Sequence, residues 1–237
     1  HRKECSTYGL SDYLDTVAGL NFRHEISTIN KLVNEESRPK TIIISGAKVS
    51  TKIVVIKKLL EKCDHMILGG GILNTFLKAK GYEIGQSLIE ESSIGLAEDI
   101  LNSNLSSKIF IPTDFTCQTD SQISNIELNY ISNGDTIYDL GDKSSVNLIE
   151  IINKSSSIFW NGPLGYVEKK PFDRSTNSIA NAIAQHNCFS IVGGGDTLPI
   201  IENLNLQNDF SCLSTGGGSL LTYIENGTLP ILDKLNI

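Results

Sequence analysis

The stretch "SIVGGGDTLPII", residues 190–201, decides how this chain folds. A short apolar run ends in three glycines, then an acid, a threonine and a helix-compatible tail. The design recurs in "MILGGGILNTFLKAKG" from Met66 and in "CLSTGGGSLLTYIENG" from Cys212. A continuous apolar run is the signature of a strand buried on both faces. Working outward, similar runs stand at "TIIIS" (41–45), "HMILG" (65–69), "KIFIP" (108–112), "DTIYDL" (135–140), "SIFWNG" (157–162), "CFSIVGG" (188–194) and "FSCLST" (210–215), most with helix-period segments between them. That alternation predicts an α/β fold: a doubly wound, Rossmann-like parallel sheet with right-handed crossovers and helices on both faces. Ligands of such sheets bind beyond the carboxyl ends of the strands, where every triple glycine falls.

The bulk composition narrows the function. At 237 residues the chain can form one large domain or two modest ones. Its 40% hydrophobic and 20% charged residues are an ordinary globular balance. Twenty-seven acids against twenty bases give a net charge of -7, which argues against a general nucleic-acid binder. An anionic substrate stays open, because local donors decide that. Cys5, Cys63, Cys117, Cys188 and Cys212 are odd in number and show no CxxC spacing, so they read as reduced thiols of a cytoplasmic protein. No apolar run reaches the roughly 18 residues of a membrane span. The opening "HRKECSTYGL" has no initiating methionine and reads as the continuation of a longer chain.

Residues 21–38 break the strand–helix rhythm. Leu20, Ile26, Ile29, Leu32 and Val33 fall at helical spacing, so a long helix is expected to lead into the sheet, with "ESRPK" (36–40) as its exit turn.

Strand-end glycines let the backbone approach a ligand closely, and a helix starting just after them aims unpaired N–H groups at it. The combination suits phosphate. Neither standard phosphate fingerprint is present: there is no GxGxxG, and "GDKSS" (141–145) has Asp142 where a P-loop needs glycine before Lys143. Asp196 follows the second triple glycine directly. A carboxylate there fits Mg²⁺ bridging to phosphates, or equally an N-cap on the next helix. Lys48 and Lys52 of "SGAKVSTKIVVIKKLL" (45–60) are four apart, so they share a helix face if the helix begins near Val49, just past a strand end. Lys57 and Lys58 read as a solvated face.

Together "GAKVSTK", "GGGILNTFLKAKGYEIGQSL", "WNGPLGYVE", "GGGDT" and "STGGGS" resemble, in order and rough spacing, the nucleotide-binding half of phosphoglycerate kinase. The opening "HR…STYG" and "YLDTVAG" are similar to the end of that family's substrate domain and the entry to its interdomain helix. The resemblance spans essentially the whole chain. It implies four parts: a substrate-domain remnant at 1–17, an interdomain helix at 18–38, a nucleotide-binding domain at 39–225 and a C-terminal return segment at 226–237. It also implies a monomeric, Mg²⁺-dependent glycolytic kinase with neither nucleic-acid nor membrane partners. Such an enzyme moves a phosphoryl group between 1,3-bisphosphoglycerate and ADP, giving 3-phosphoglycerate and ATP.

Carried over motif by motif, the resemblance assigns Lys52, with Gly46 and Ala47, to the nucleotide phosphates, and Lys48 to the phosphoryl group in flight. Gly69, Gly70, Gly71 and Leu88 would border the adenine, Asn161 and Pro163 would lie along the nucleotide, and Glu168 would hold the ribose hydroxyls. Gly193, Gly194, Gly195 and Thr197 would hold the phosphates and Asp196 the magnesium. The backbone N–H groups of Gly195 and Gly218 would face the transferring group, and Arg2 would grip the acid substrate.

Three departures stand out. Ile137-Tyr138 replaces the family's usual Gly-Leu, before Asp139-Leu140-Gly141-Asp142 in place of Asp-x-Gly-Pro, which alters one adenine-pocket wall. Ser175 stands where a glycine is common, and Glu4 where many relatives carry a histidine. The family's substrate domain would lie almost wholly before His1, so this chain alone is expected to bind Mg-ADP without turnover, with a loose "GTLPILDKLNI" tail. Two readings remain beside the kinase. A non-catalytic nucleotide-binding module would not be rescued by a substrate domain, and a dehydrogenase is disfavoured by the missing GxGxxG.

Overall fold

A computed structural model describes residues 1–34 and 37–235. Six strands form the central sheet: β1 (Lys40–Ser45), β2 (His65–Gly69), β3 (Ile109–Phe110), then, later in the chain, the strands at Ser157–Asn161, Phe189–Gly193 and Cys212–Ser214. Between them lie β4 (Asp114–Thr119), β5 (Gln122–Glu127) and β6 (Asp135–Leu140), so the last three strands of the main sheet are β7, β8 and β9. The main sheet runs in the order β3-β2-β1-β7-β8-β9 and all its pairings are parallel. The chain thus winds outward from β1 in one direction and from β7 in the other. With right-handed crossovers, the two windings place their helices on opposite faces. The switch point is the β1–β7 seam.

The helices are α1 (Leu20–Asn34), α2 (Ile53–Lys62), α3 (Gly70–Ala79), α4 (Ile94–Leu101), α5 (Asp142–Ile152), α6 (Arg174–Gln185), α7 (Leu198–Asn203), α8 (Gly218–Asn226) and α9 (Pro230–Leu235). The core follows from their stripes. In α2, Ile53, Val55, Ile56, Leu59 and Leu60 are buried at helical spacing against the continuous apolar runs of β1 and β2. Trp160 is fully buried in β7 and its Nε1 donates to Gly162 O at 2.7 Å, which fixes the turn beyond the strand. Among the described residues, no helix is long and apolar enough to cross a membrane.

The structure corrects several sequence expectations. "DTIYDL" is a strand, but it belongs to a separate antiparallel sheet of order β5-β4-β6, not to the parallel one. The ribbon partners β4 and β5 escaped notice because "DFTCQT" and "QISNIE" are too polar to resemble buried strands; β5 is almost wholly exposed. α1 buries Ile26, Ile29 and Leu32, whereas Leu20 at its start is 86% exposed. Glu36 of the expected exit turn lies outside the described residues, as do Glu35 before it and Asn236 and Ile237 of the tail. The rest of that tail is seated: Leu229 and Leu232 are buried, and Lys234 pairs with Asp12. Lys58 is not purely solvated, since its Nζ donates to Glu225 O at 2.7 Å and ties α2 to the end of α8.

Candidate active site

The carboxyl ends of β1, β2, β7 and β8, with the turn beyond β9, open onto one cavity of about 790 Å³. Sequence makes this rim from glycine. The Gly69–Gly71 turn leads β2 into α3, and a Cβ at Gly71 would stand 2.5 Å from Ala47 O, so only glycine lets this turn pack on the one after β1. At the β1–β7 seam Gly162 has φ +97°, and a Cβ there would lie 2.4 Å from Ser45 O. Gly195 differs from both. No atom lies within 4 Å of where its Cβ would be, and its φ is not positive, so the fold itself does not demand glycine there. Its missing side chain leaves the cavity wall open.

Of the residues singled out from sequence, Gly46, Ala47, Lys52, Gly70, Gly71, Leu88, Asn161, Pro163, Glu168, Gly194, Gly195, Asp196 and Gly218 all line this cavity. Gly69 and Gly193 sit just behind it, buried at the ends of β2 and β8. Thr197 is also behind the wall, where its Oγ1 accepts from Gly162 N at 3.0 Å and braces the seam turn. Lys48 is exposed and outside the lining. The helix expected to carry Lys48 and Lys52 on one face begins at Ile53, leaving Lys52 at its N-cap and Lys48 in the turn before it. That turn is pinned by Glu90, which accepts from Ser50 N at 2.8 Å and from Ser50 Oγ. Arg2 lines a second cavity of about 560 Å³, between the N-terminal segment, α1 and α8. His1 lines this second cavity too, its Nδ1 lying 2.7 Å from Ser219 Oγ in the first turn of α8.

Lys52 is the one lysine among the described residues that lines the larger cavity. Its Nζ donates to Asn161 Oδ1 at 2.7 Å and to Ser45 O, so the ammonium stands over the switch point. Asn161 Nδ2 in turn donates to Gly193 O at 3.0 Å, which makes this amide a strut between β8 and the lysine. Burial pushes the Lys52 ammonium down to about 8, with the Asp196 carboxylate pulling the other way. Asp196 is exposed and makes no hydrogen bond among the described residues, and the cap position of α7 belongs to Thr197. The N-cap reading of Asp196 is therefore corrected; its carboxylate is free to meet a cation. Among the described residues no cluster of three metal-ligating side chains exists, so a metal at Asp196 would take its remaining ligands from phosphate and water. α3 and α8 begin at the cavity with Gly69 and Gly217 as caps, and their first-turn N–H groups add donors.

Sequence reading missed Ser45, Asn74, Gly162, Gly165, Tyr166, Gly217 and Leu221, all of which line the cavity. Several lie inside the motifs already quoted, so proximity to those motifs was the available signal. The departures Ile137 and Tyr138 line it too, on the side of Leu88 and Asn74, where Asn74 Nδ2 donates to Leu88 O at 3.1 Å.

Comparison with known proteins places the chain in a family. The family model described as phosphoglycerate kinase matches residues 1–227. The chain is 42% identical to the phosphoglycerate kinase of Baumannia cicadellinicola subsp. Homalodisca coagulata, covering 99% of this chain and 61% of that protein. It is 38% identical to that of Blochmanniella floridana, over 99% of this chain and 59% of the other. The solved phosphoglycerate kinase of Coxiella burnetii superposes with a TM-score of 0.91 at 33% identity, covering all of this chain and 62% of that one. The chain thus spans about three-fifths of the length of these relatives. The family-model match, the identity to these relatives and the shared fold lead to one conclusion: this chain belongs to the phosphoglycerate kinase family.

Proposed function

We propose that the larger cavity is the Mg²⁺-nucleotide site of a phosphoglycerate kinase, which moves a phosphoryl group reversibly between 1,3-bisphosphoglycerate and ADP. One observation carries this reading. Three strand-end glycine turns converge on one cavity that holds a half-buried lysine and an unpaired carboxylate. Phosphoryl transfer asks a protein chiefly for positioning and for positive charge around the moving group. In this reading Lys52 contacts the nucleotide phosphates, held in place by Asn161 and Ser45. The Gly195 backbone faces the phosphates across a wall with no side chain, and the N–H groups at Gly218 face the transferring group. Lys48 reaches in from the flanking turn, Glu168 accepts from the ribose hydroxyls, and Arg2 takes the carboxylate of the acid substrate.

The residues present fit a magnesium ion: Asp196 offers one unpaired carboxylate beside donors suited to phosphate. When bound, the ion neutralises charge on the phosphate oxygens. The chain's own contribution is the fixed lysine, the glycine wall and the helix N-termini. The test is a phosphoryl-transfer assay of the full-length protein with 1,3-bisphosphoglycerate and ADP. Formation of ATP that is lost in Lys52→Ala supports the reading; no transfer by the intact protein contradicts it.

A further inference from the structure

Resting on the nucleotide-site reading above, we propose that Tyr138 and Tyr166 form an aromatic wall, with the nucleotide base stacking on Tyr166 and Tyr138 backing it, making them base-binding residues of this chain. Both rings line the larger cavity. They are stacked on one another, with centroids 5.6 Å apart and planes 29° from parallel. Their backbones are locked together, because Tyr166 N donates to Tyr138 O at 2.8 Å. Fully buried Phe172 packs behind Tyr138 at 4.8 Å, and Lys169 Nζ lies 5.3 Å from the Tyr138 centroid while donating to Gln118 Oε1 at 2.6 Å. The turn that presents Tyr166 depends on Gly165, where a Cβ would stand 2.2 Å from Phe172 O.

This is a pre-organised surface. Tyr166 remains 47% exposed although it stacks on Tyr138, so π-surface stays open in a cavity that Glu168 and Leu88 also line. A tyrosine held in place loses little conformational freedom when a flat ring settles on it. The aromatic wall stands where the family resemblance leads one to expect leucine at position 138. Leucine offers apolar area but no ring face. Stacking on an aromatic ring discriminates weakly between bases, since each has a π-face. The wall therefore raises affinity for ADP and GDP alike and adds nothing for the phosphates.

The experiment titrates ADP, GDP and inorganic pyrophosphate, each with Mg²⁺, into the unaltered protein and into Tyr138→Leu, Tyr166→Leu and Tyr166→Phe. Expected is a loss of about tenfold in ADP and GDP affinity for each leucine variant, with pyrophosphate binding unchanged and Tyr166→Phe close to the parent. Leucine variants that bind ADP as tightly as the parent overturn the aromatic wall alone. So does an equal loss for pyrophosphate, which marks a collapsed site. If the unaltered protein binds none of the three ligands, the nucleotide-site reading falls and this inference with it. Comparing thermal unfolding of the variants separates a misfolded protein from a weakened wall.

Discussion

Lys52 Nζ and Asn161 Oδ1 meet at 2.7 Å across the β1–β7 seam, where the sheet reverses its winding direction. The contact joins a residue just past the end of β1 to the last residue of β7, with 108 residues between them in sequence. Asn161 is buried, with Oδ1 accepting from the lysine and Nδ2 donating to Gly193 O, so it positions the lysine. Lys52→Ala is expected to weaken Mg-ADP and Mg-pyrophosphate together by tenfold or more while leaving the fold intact. Asn161→Ala is expected to weaken both less and to lower the melting temperature, because it also frees a buried carbonyl. Titration and thermal unfolding of the two variants check this, and equal behaviour of the pair contradicts it.

The depressed Lys52 ammonium gives a pH signature. Between about 8 and the ordinary 10.5 the unfolded chain holds a proton that the folded chain has released, so folding stability rises with pH across that window. Phosphate beside the ammonium favours its charged form, so ADP binding above pH 8 takes up a proton and weakens as pH rises further. Calorimetry in buffers of different ionisation enthalpy measures that uptake. It should vanish in Lys52→Ala; uptake that persists assigns it elsewhere.

Ser175, a departure from the family pattern, contacts Asp139. Ser175 N donates to Asp139 Oδ2 at 3.0 Å and Ser175 Oγ donates to Asp139 Oδ1. Burial pushes the Asp139 carboxyl up to about 6 despite these donors. Between 3.8 and about 6 the folded chain holds the extra proton, so this group makes stability fall as pH rises through that window. Ser175→Ala removes a donor to the carboxylate and should lift its pKa above 6, as read by NMR titration. A value that does not move shows that the hydroxyl is idle.

The rim glycines should separate into two kinds. Gly162→Ala puts a Cβ 2.4 Å from Ser45 O at positive φ, and is expected to cost roughly 1–3 kcal/mol or more of stability. Gly195→Ala meets no protein atom within 4 Å, so stability should hold while Mg-ADP affinity falls. Denaturant unfolding beside ligand titration decides it. Gly195→Ala binding like the parent would remove that wall from the nucleotide site.

The parallel sheet and its rim were readable because each buried strand is a continuous apolar run ending in a turn residue. The antiparallel ribbon was not, since β5 is largely solvated and β4 interleaves its buried Phe115 and Cys117 with threonine and glutamine, so neither is a continuous apolar run. In the site, glycine and lysine motifs announced themselves locally. The bracing of Lys52 by Asn161, of the Gly162 turn by Thr197 and of the 46–52 turn by Glu90 links residues far apart in sequence, which no local pattern encodes. Helix phase was also misread. Lys52 precedes α2, because Lys52 N bonds Val49 O in a tight turn that delays the helix to Ile53.

The most direct test of the account is calorimetric titration of the protein with ADP, once with Mg²⁺ and once with a chelator, repeated on Asp196→Asn. The account predicts one site per chain, tighter with Mg²⁺, and a magnesium dependence that shrinks markedly in the variant. Absence of ADP binding, or a magnesium effect of the same size in Asp196→Asn, would contradict it.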